Sequence, residues 1–120
     1  MADVTVKSID ELDGAEQGGA RFLYAGKELG VTAWGMNVED LPAGWGEYPE
    51  HDHAEDGQEE VYVVLEGSAT LLADEERFDL APGALARVGP EATRKITPGE
   101  DGVTLLAIGA TPGKAYEPRA

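Results

Sequence analysis

There is no cysteine in these 120 residues. Disulfides, thiolate metal ligands and a cysteine nucleophile are therefore excluded. Stability has to come from a packed core, which one domain of this length can supply. Positive charge is scarce: nine Lys and Arg stand against 24 Asp and Glu, a net charge of −15. Nucleic acid and anionic membrane surfaces are poor partners for such a chain, because phosphate binding needs a basic face. The acidic residues are spread along the sequence, which reads as a solvated surface. Long apolar runs are missing too; the longest clear one, residues 61–65, is far too short to span a membrane. The opening Met-Ala-Asp-Val-Thr-Val-Lys has no basic stretch before an apolar core. No secretory signal is expected, and the expected location is cytoplasmic. No Ser/His/Asp spacing argues for a hydrolytic triad, and no glycine loop is built to cradle phosphate.

What is abundant is turn chemistry. Sixteen glycines and seven prolines punctuate the chain, which favours short strands over long helices. Ser8 with Glu11 three residues on fits a capping box, so a short helical turn is expected over 8–12. Gly14, Gly18 and Gly19 should then end that turn. Strands are expected over 21–25 and 29–38. Residues 48–53 should be extended, since Pro49 holds Tyr48 away from helix. A polar loop around Asp56-Gly57 leads into the clearest strand, 59–65. Glu66-Gly67-Ser68 reads as a turn into a second arm, 69–73, forming a hairpin. Further short strands are expected over 77–80, 84–88, 94–97 and 103–108, with a tail from Thr111. With no repeat, no linker and no second helix, the pattern predicts one all-β sandwich or barrel.

The only histidines, His51 and His53, stand at i and i+2, so on an extended chain they point to one face. Glu60 opens the strand that follows, with Tyr62 and Val64 on its face and Glu59 on the other. From Gly44 to Gly67 the chain resembles the cupin superfamily. That family's first motif runs from a glycine through His-x-His to a glutamate, then six residues and a glycine. Gly44, His51-Asp52-His53, Glu60 and Gly67 supply these parts. Two spacings depart: six residues separate Gly44 from His51 where five are usual, and six separate His53 from Glu60 where three or four are usual. In the second motif Gly83 fits, Gly89 and Pro90 blur the Pro-x-Gly, Glu91 stands on the glycine, and Arg94 falls on the histidine.

The resemblance implies an all-β double-stranded β-helix, or jelly-roll barrel. A single cupin domain is expected over 1–120, with its core at about 21–109, a tail at 110–120 and a short N-terminal helical turn. It implies a divalent metal (Fe, Mn, Ni, Cu or Zn) held by His51, His53 and Glu60. A small, anionic molecule would bind in the barrel. Arg94, Tyr62, Tyr48 and Trp34 are the candidate substrate contacts, and Trp45 and Met36 are further candidates to line the cavity. If the protein is catalytic, the implied chemistry is oxygenase, isomerase or decarboxylase. Two imidazoles and one carboxylate suffice for a facial triad with open positions. The alternative is a metal-free ligand-binding or sensing cupin in which Arg94 replaces the metal ligand and pairs with Glu60. If not engaged in either way, Arg94 would be a surface residue in a Thr-Arg-Lys turn. Such cupins commonly pair sheet edges, so a homodimer is expected.

Overall fold

The computed structural model describes residues 2–118. The 3₁₀ turn at Ile9–Glu11 matches the capping-box expectation: the Glu11 carboxylate accepts the Ser8 N–H at 3.1 Å. Strand β1, Gly14–Gln17, turns through Gly18 and Gly19 into β2, Ala20–Leu23. The helical turn ends before the three glycines, as expected, and they build a hairpin. Both tight-turn glycines have positive φ, at 59° and 89°.

The strands expected over 21–25 and 29–38 are corrected by a short helix between them. Helix α1 spans Ala25–Leu29. Gly30 closes it in the left-handed region, and the Val31 N–H reaches back to the Gly26 carbonyl at 2.8 Å. Strand β3 starts only at Gly35 and runs Gly35–Leu41. Gly26 lets this helix lie close to β3; a β-carbon there would sit 3.2 Å from the Met36 carbonyl.

Strand β4 is the axis of the molecule. It runs Glu59–Ala73 without a hairpin, so the turn expected at Glu66-Gly67-Ser68 is a pair of register shifts inside one strand. Its second half meets β5, Glu76–Leu80, through a tight turn at Asp74-Glu75, both at positive φ. Its first half pairs with β6, Leu85–Val88. Strand β7, Arg94–Ala110, lies along the opposite edge of β4 for both halves. The strands expected at 94–97 and 103–108 are therefore one. Residues 99–102 bulge out opposite Ser68, since Gly67 pairs with Val103 and Ala69 with Pro98. The sheet order is β1-β2-β3-β7-β4-β5, with β6 on β4.

Strand alternation sorts the core. Tyr62, Val64 and Leu71 of β4, Ile96, Val103, Leu105 and Ala107 of β7, and Leu41 of β3 form the main cluster with Trp45 and Tyr48. A smaller cluster of Leu23, Ala25 and Val38 packs on the other face, joined by Leu12, Met36 and Leu106. Met36 belongs to this outer cluster, not to the barrel interior where it was expected.

The bulge depends on glycine. Gly67 has φ +75°, and a β-carbon there would lie 2.2 Å from the Gly102 carbonyl oxygen. Both strain and overlap oppose any side chain. Gly67→Ala is expected to lower unfolding stability by roughly 2 kcal/mol or more, read by urea denaturation, whereas Gly83→Ala, with open space around it, should cost less.

Candidate metal centre in the barrel

Two segments bring the expected ligands together. The extended stretch after β3 crosses the start of β7, where His51 and Arg94 form a β-bridge: the Arg94 N–H donates to the His51 carbonyl at 2.8 Å, and the His51 N–H to the Arg94 carbonyl at 3.1 Å. The His53 N–H reaches the Pro90 carbonyl at 2.8 Å. Glu60, at the start of β4, faces both histidines. His51 Nε2 lies 3.8 Å and His53 Nε2 3.4 Å from Glu60 Oε1. One donor atom from each of His51, His53 and Glu60 falls within 4.8 Å of the others. His51 is one-third exposed, and His53 and Glu60 are mostly covered, so the site opens toward solvent on the His51 side. The long spacer in the motif is absorbed by the turn at 54–57, where the Gly57 N–H bonds the His53 carbonyl at 2.7 Å.

The outer nitrogen of each imidazole is held. His51 Nδ1 lies 2.9 Å from the Pro49 carbonyl, an acceptor, so Nδ1 carries the hydrogen. His53 Nδ1 lies 3.1 Å and 3.2 Å from the two oxygens of Asp56. In the neutral tautomers these bonds select, both Nε2 atoms turn a lone pair inward. His53 Nε2 is buried without a hydrogen-bond partner among the described residues.

Arg94 is fully buried, at 0 % exposure, not the surface side chain of a turn. Its Nη1 donates to Glu60 Oε1 at 2.5 Å, its Nη2 to the Gly89 carbonyl at 2.6 Å, and its Nε to the Ala92 carbonyl at 3.0 Å. Tyr62 donates to the same Glu60 oxygen at 2.7 Å. Glu59 faces the other way and pairs with Arg87 on the surface, as strand alternation predicts. Tyr48 and Tyr62 are buried with the site, whereas Trp34 stands 41 % exposed ahead of β3. The buried indole is Trp45, and rings run from Phe22 through Trp45, Tyr48 and His51 to His53 with centroids 5.1–6.5 Å apart.

Sequence reasoning missed Glu39. It shares the inward face of β3 with Leu41 and is only 7 % exposed. Burial pushes its carboxyl up to about 7, helped by the charge of Glu60 and opposed by a hydrogen bond from Tyr48. Burial likewise raises the Tyr48 and Tyr62 hydroxyls, keeping both protonated. The only signal in the sequence was its place two residues before Leu41, which no motif marks.

The donor set fits a divalent cation. Two imidazole nitrogens and one carboxylate converge, and each imidazole is oriented from behind in the way metal-binding histidines are. Arg94 opposes it: a dication about 4 Å from a guanidinium costs on the order of 2 kcal/mol in water-like surroundings and more where water is excluded.

No protein-family model matches the chain, and no curated protein matches it. Solved structures do. A cupin protein from Bacteroides fragilis is 24 % identical with a TM-score of 0.76, covering 99 % of this chain and 93 % of its own. A sugar phosphate isomerase of the cupin superfamily from Silicibacter pomeroyi is 23 % identical, TM-score 0.72, covering 90 % of this chain and 77 % of its own. A predicted oxalate decarboxylase from Thermotoga maritima is 15 % identical, TM-score 0.74, covering 89 % of this chain and 99 % of its own. The fold is thus the all-β cupin jelly roll with a short N-terminal 3₁₀ turn. None of the described helices is long and apolar enough to cross a membrane.

Removing the guanidinium strands the Glu60 carboxylate and two loop carbonyls. Arg94→Ala is expected to destabilise the protein by about 3–5 kcal/mol in chemical denaturation. For Glu39 the folded-state value lies above the ordinary 4.5, so the unfolded chain gives up the proton first. Wild-type stability is therefore intact below about 4.5 and falls as pH climbs to about 7. Glu39→Gln should escape that loss, about 3 kcal/mol at most, so its advantage over wild type should be larger at pH 8 than at pH 5.

Proposed function

We propose that this protein is a small-molecule-binding cupin that holds a divalent transition metal at His51, His53 and Glu60. The observation that carries the reading is the pairing of His53 Nε2 with Glu60 Oε1 at 3.4 Å without a hydrogen bond. A lone pair facing a carboxylate repels it; a cation between them turns the repulsion into two bonds. When bound, the metal would supply Lewis acidity and open positions for an oxygen donor of the ligand.

The remaining work falls to the chain. Pro49 and Asp56 hold the imidazole tautomers. Arg94 and Tyr62 fix the Glu60 rotamer by sharing one of its oxygens. Arg94 also adds positive charge beside the cation, which favours an anionic ligand such as a carboxylate. Tyr48 and Tyr62 offer hydroxyls on the buried side of the site, where they exclude water and orient the ligand. Likeness to a sugar phosphate isomerase and a predicted oxalate decarboxylase supports isomerase or decarboxylase chemistry ahead of oxygenase chemistry, with the substrate's carboxylate or phosphate as the anionic group.

The Arg94–Glu60 bond favours a second reading, a metal-free ligand-binding or sensing cupin in which the guanidinium satisfies the carboxylate without an ion. Elemental mass spectrometry of untagged protein purified without chelator separates the two. The metal reading expects near-stoichiometric metal in wild type and at least a tenfold loss in His53→Ala. It also expects tighter metal binding in Arg94→His, which returns an imidazole to the position opposite His51. Wild type that holds no metal and takes up none at neutral pH would establish the second reading instead.

A further inference from the structure

Glu60 sits beside a gap in the barrel wall. Directly opposed residues of an antiparallel pair share a face. Glu60 is opposed by Gly109 of β7, and Gly109 in turn by Gly35 of β3. The row leading away from the carboxylate therefore carries no side chain of its own for two strands. The next row on this inner face is Tyr62, Ala107 and Asn37. Asn37 is exposed, so solvent reaches this corner of the barrel.

Two side chains from outside that row lie against the glycines. A β-carbon on Gly109 would stand 2.8 Å from Gln58 Oε1 and 3.3 Å from Glu60 Cγ, so the Gln58 amide lies next to the carboxylate. Gln58 Nε2 donates to Asp56 Oδ2 at 3.3 Å, which leaves Oε1 turned toward the gap. A β-carbon on Gly35 would stand 2.8 Å from the Tyr116 hydroxyl and 3.1 Å from two atoms of its ring. Tyr116 arrives there because the chain folds back after β7. The Thr111 hydroxyl donates to the Asp56 carbonyl at 2.9 Å, the Lys114 N–H to the Thr111 carbonyl at 3.2 Å, and Gly113 turns with φ +71°. Gln58 and Tyr116 belong neither to the apolar clusters nor to the three candidate ligands.

Carboxylate, amide oxygen and phenol thus follow one another across the sheet, at strand spacings of about 4.8 Å. An amide oxygen accepts a hydrogen bond, and a phenol both donates and accepts. Hydroxyl groups satisfy both. An alkyl chain laid over them would take away their water and return nothing.

We propose that Gln58 and Tyr116 are specificity-determining residues, a shelf that receives the hydroxyl groups of a ligand whose anionic end is held at Glu60 and Arg94. The ligand class is then a polyhydroxylated carboxylate, not an alkyl one. The placement of the anionic end on a cation rests on the metal reading above. The row also sets the order of contacts: a short hydroxy acid reaches Gln58, and only a chain longer by a strand spacing reaches Tyr116.

The test is isothermal titration calorimetry of gluconate, glycolate and hexanoate into Zn²⁺-loaded wild type, Tyr116→Phe and Gln58→Met, with the metal content of each protein measured. Wild type should bind gluconate about tenfold more tightly than hexanoate. Tyr116→Phe should weaken gluconate by roughly three- to tenfold and leave glycolate and hexanoate unchanged. Gln58→Met should weaken gluconate and glycolate together. A tyrosine that merely pins the chain to Gly35 would leave the gluconate-to-hexanoate ratio where it was. An unchanged ratio in Tyr116→Phe, or no gluconate binding by protein that holds Zn²⁺, would overturn the shelf and leave the metal reading standing. Wild type that takes up no Zn²⁺ would overturn the metal reading. The same ratio, measured on metal-free wild type and Tyr116→Phe, then decides the shelf with Arg94 alone facing the anion.

Discussion

The bond between Arg94 and Glu60 is the constraint around which the site is arranged. A guanidinium with no exposed surface has to spend its donors inside the protein. Arg94 does so on Glu60 and on two carbonyls of the loop between β6 and β7. The same residue is hydrogen-bonded through its backbone to His51. One residue thus fixes the carboxylate and the loop through its side chain and the register of the histidine segment through its backbone. The charge that holds Glu60 in place would also repel a cation seated beside it.

The long strands make that arrangement possible. β4 carries Glu60, Tyr62 and Val64 on one face, and β7 lies against it from Arg94 to Ala110. β7 pairs with β4 at both ends, Arg94 against Ala73 and Ala110 against Glu59, on either side of the bulge. The bulge at residues 99–102 is held by Gly67 and Gly102, where close backbone leaves no room for a side chain at either. Tyr62 bonds the carboxylate on β4, and Glu39 on β3 is buried in the same interior. The interior thus holds polar groups in an apolar core, where burial raises the proton affinity of Glu39.

Much of this was legible in the chain. His-x-His puts two imidazoles on one side of any extended segment, and alternation puts Tyr62 with Glu60 and Glu59 opposite. Turn residues announced the β character. What failed did so for local reasons. Glycine was read as punctuation, yet Gly67 and Gly102 serve as bulges within continuous strands, where a positive φ bends a ladder without ending it. Five residues from Ala25 to Leu29 are too few to show helical periodicity, so α1 was invisible. Trp34 and Trp45 look alike in sequence, but only the second is buried.

By itself the sequence determined the all-β class and the exclusion of thiol chemistry, because these follow from residue type and short-range pattern, and its resemblance to cupins marked the three candidate ligands. Only the tertiary structure decided that Arg94 is buried against Glu60, that Asp56 and the Pro49 carbonyl orient the imidazoles, and that Glu39 shares the interior with them. Each of those depends on which strands lie side by side. Pairings between β3, β4 and β7 join residues tens of positions apart, and the local pattern of a chain carries no term for them.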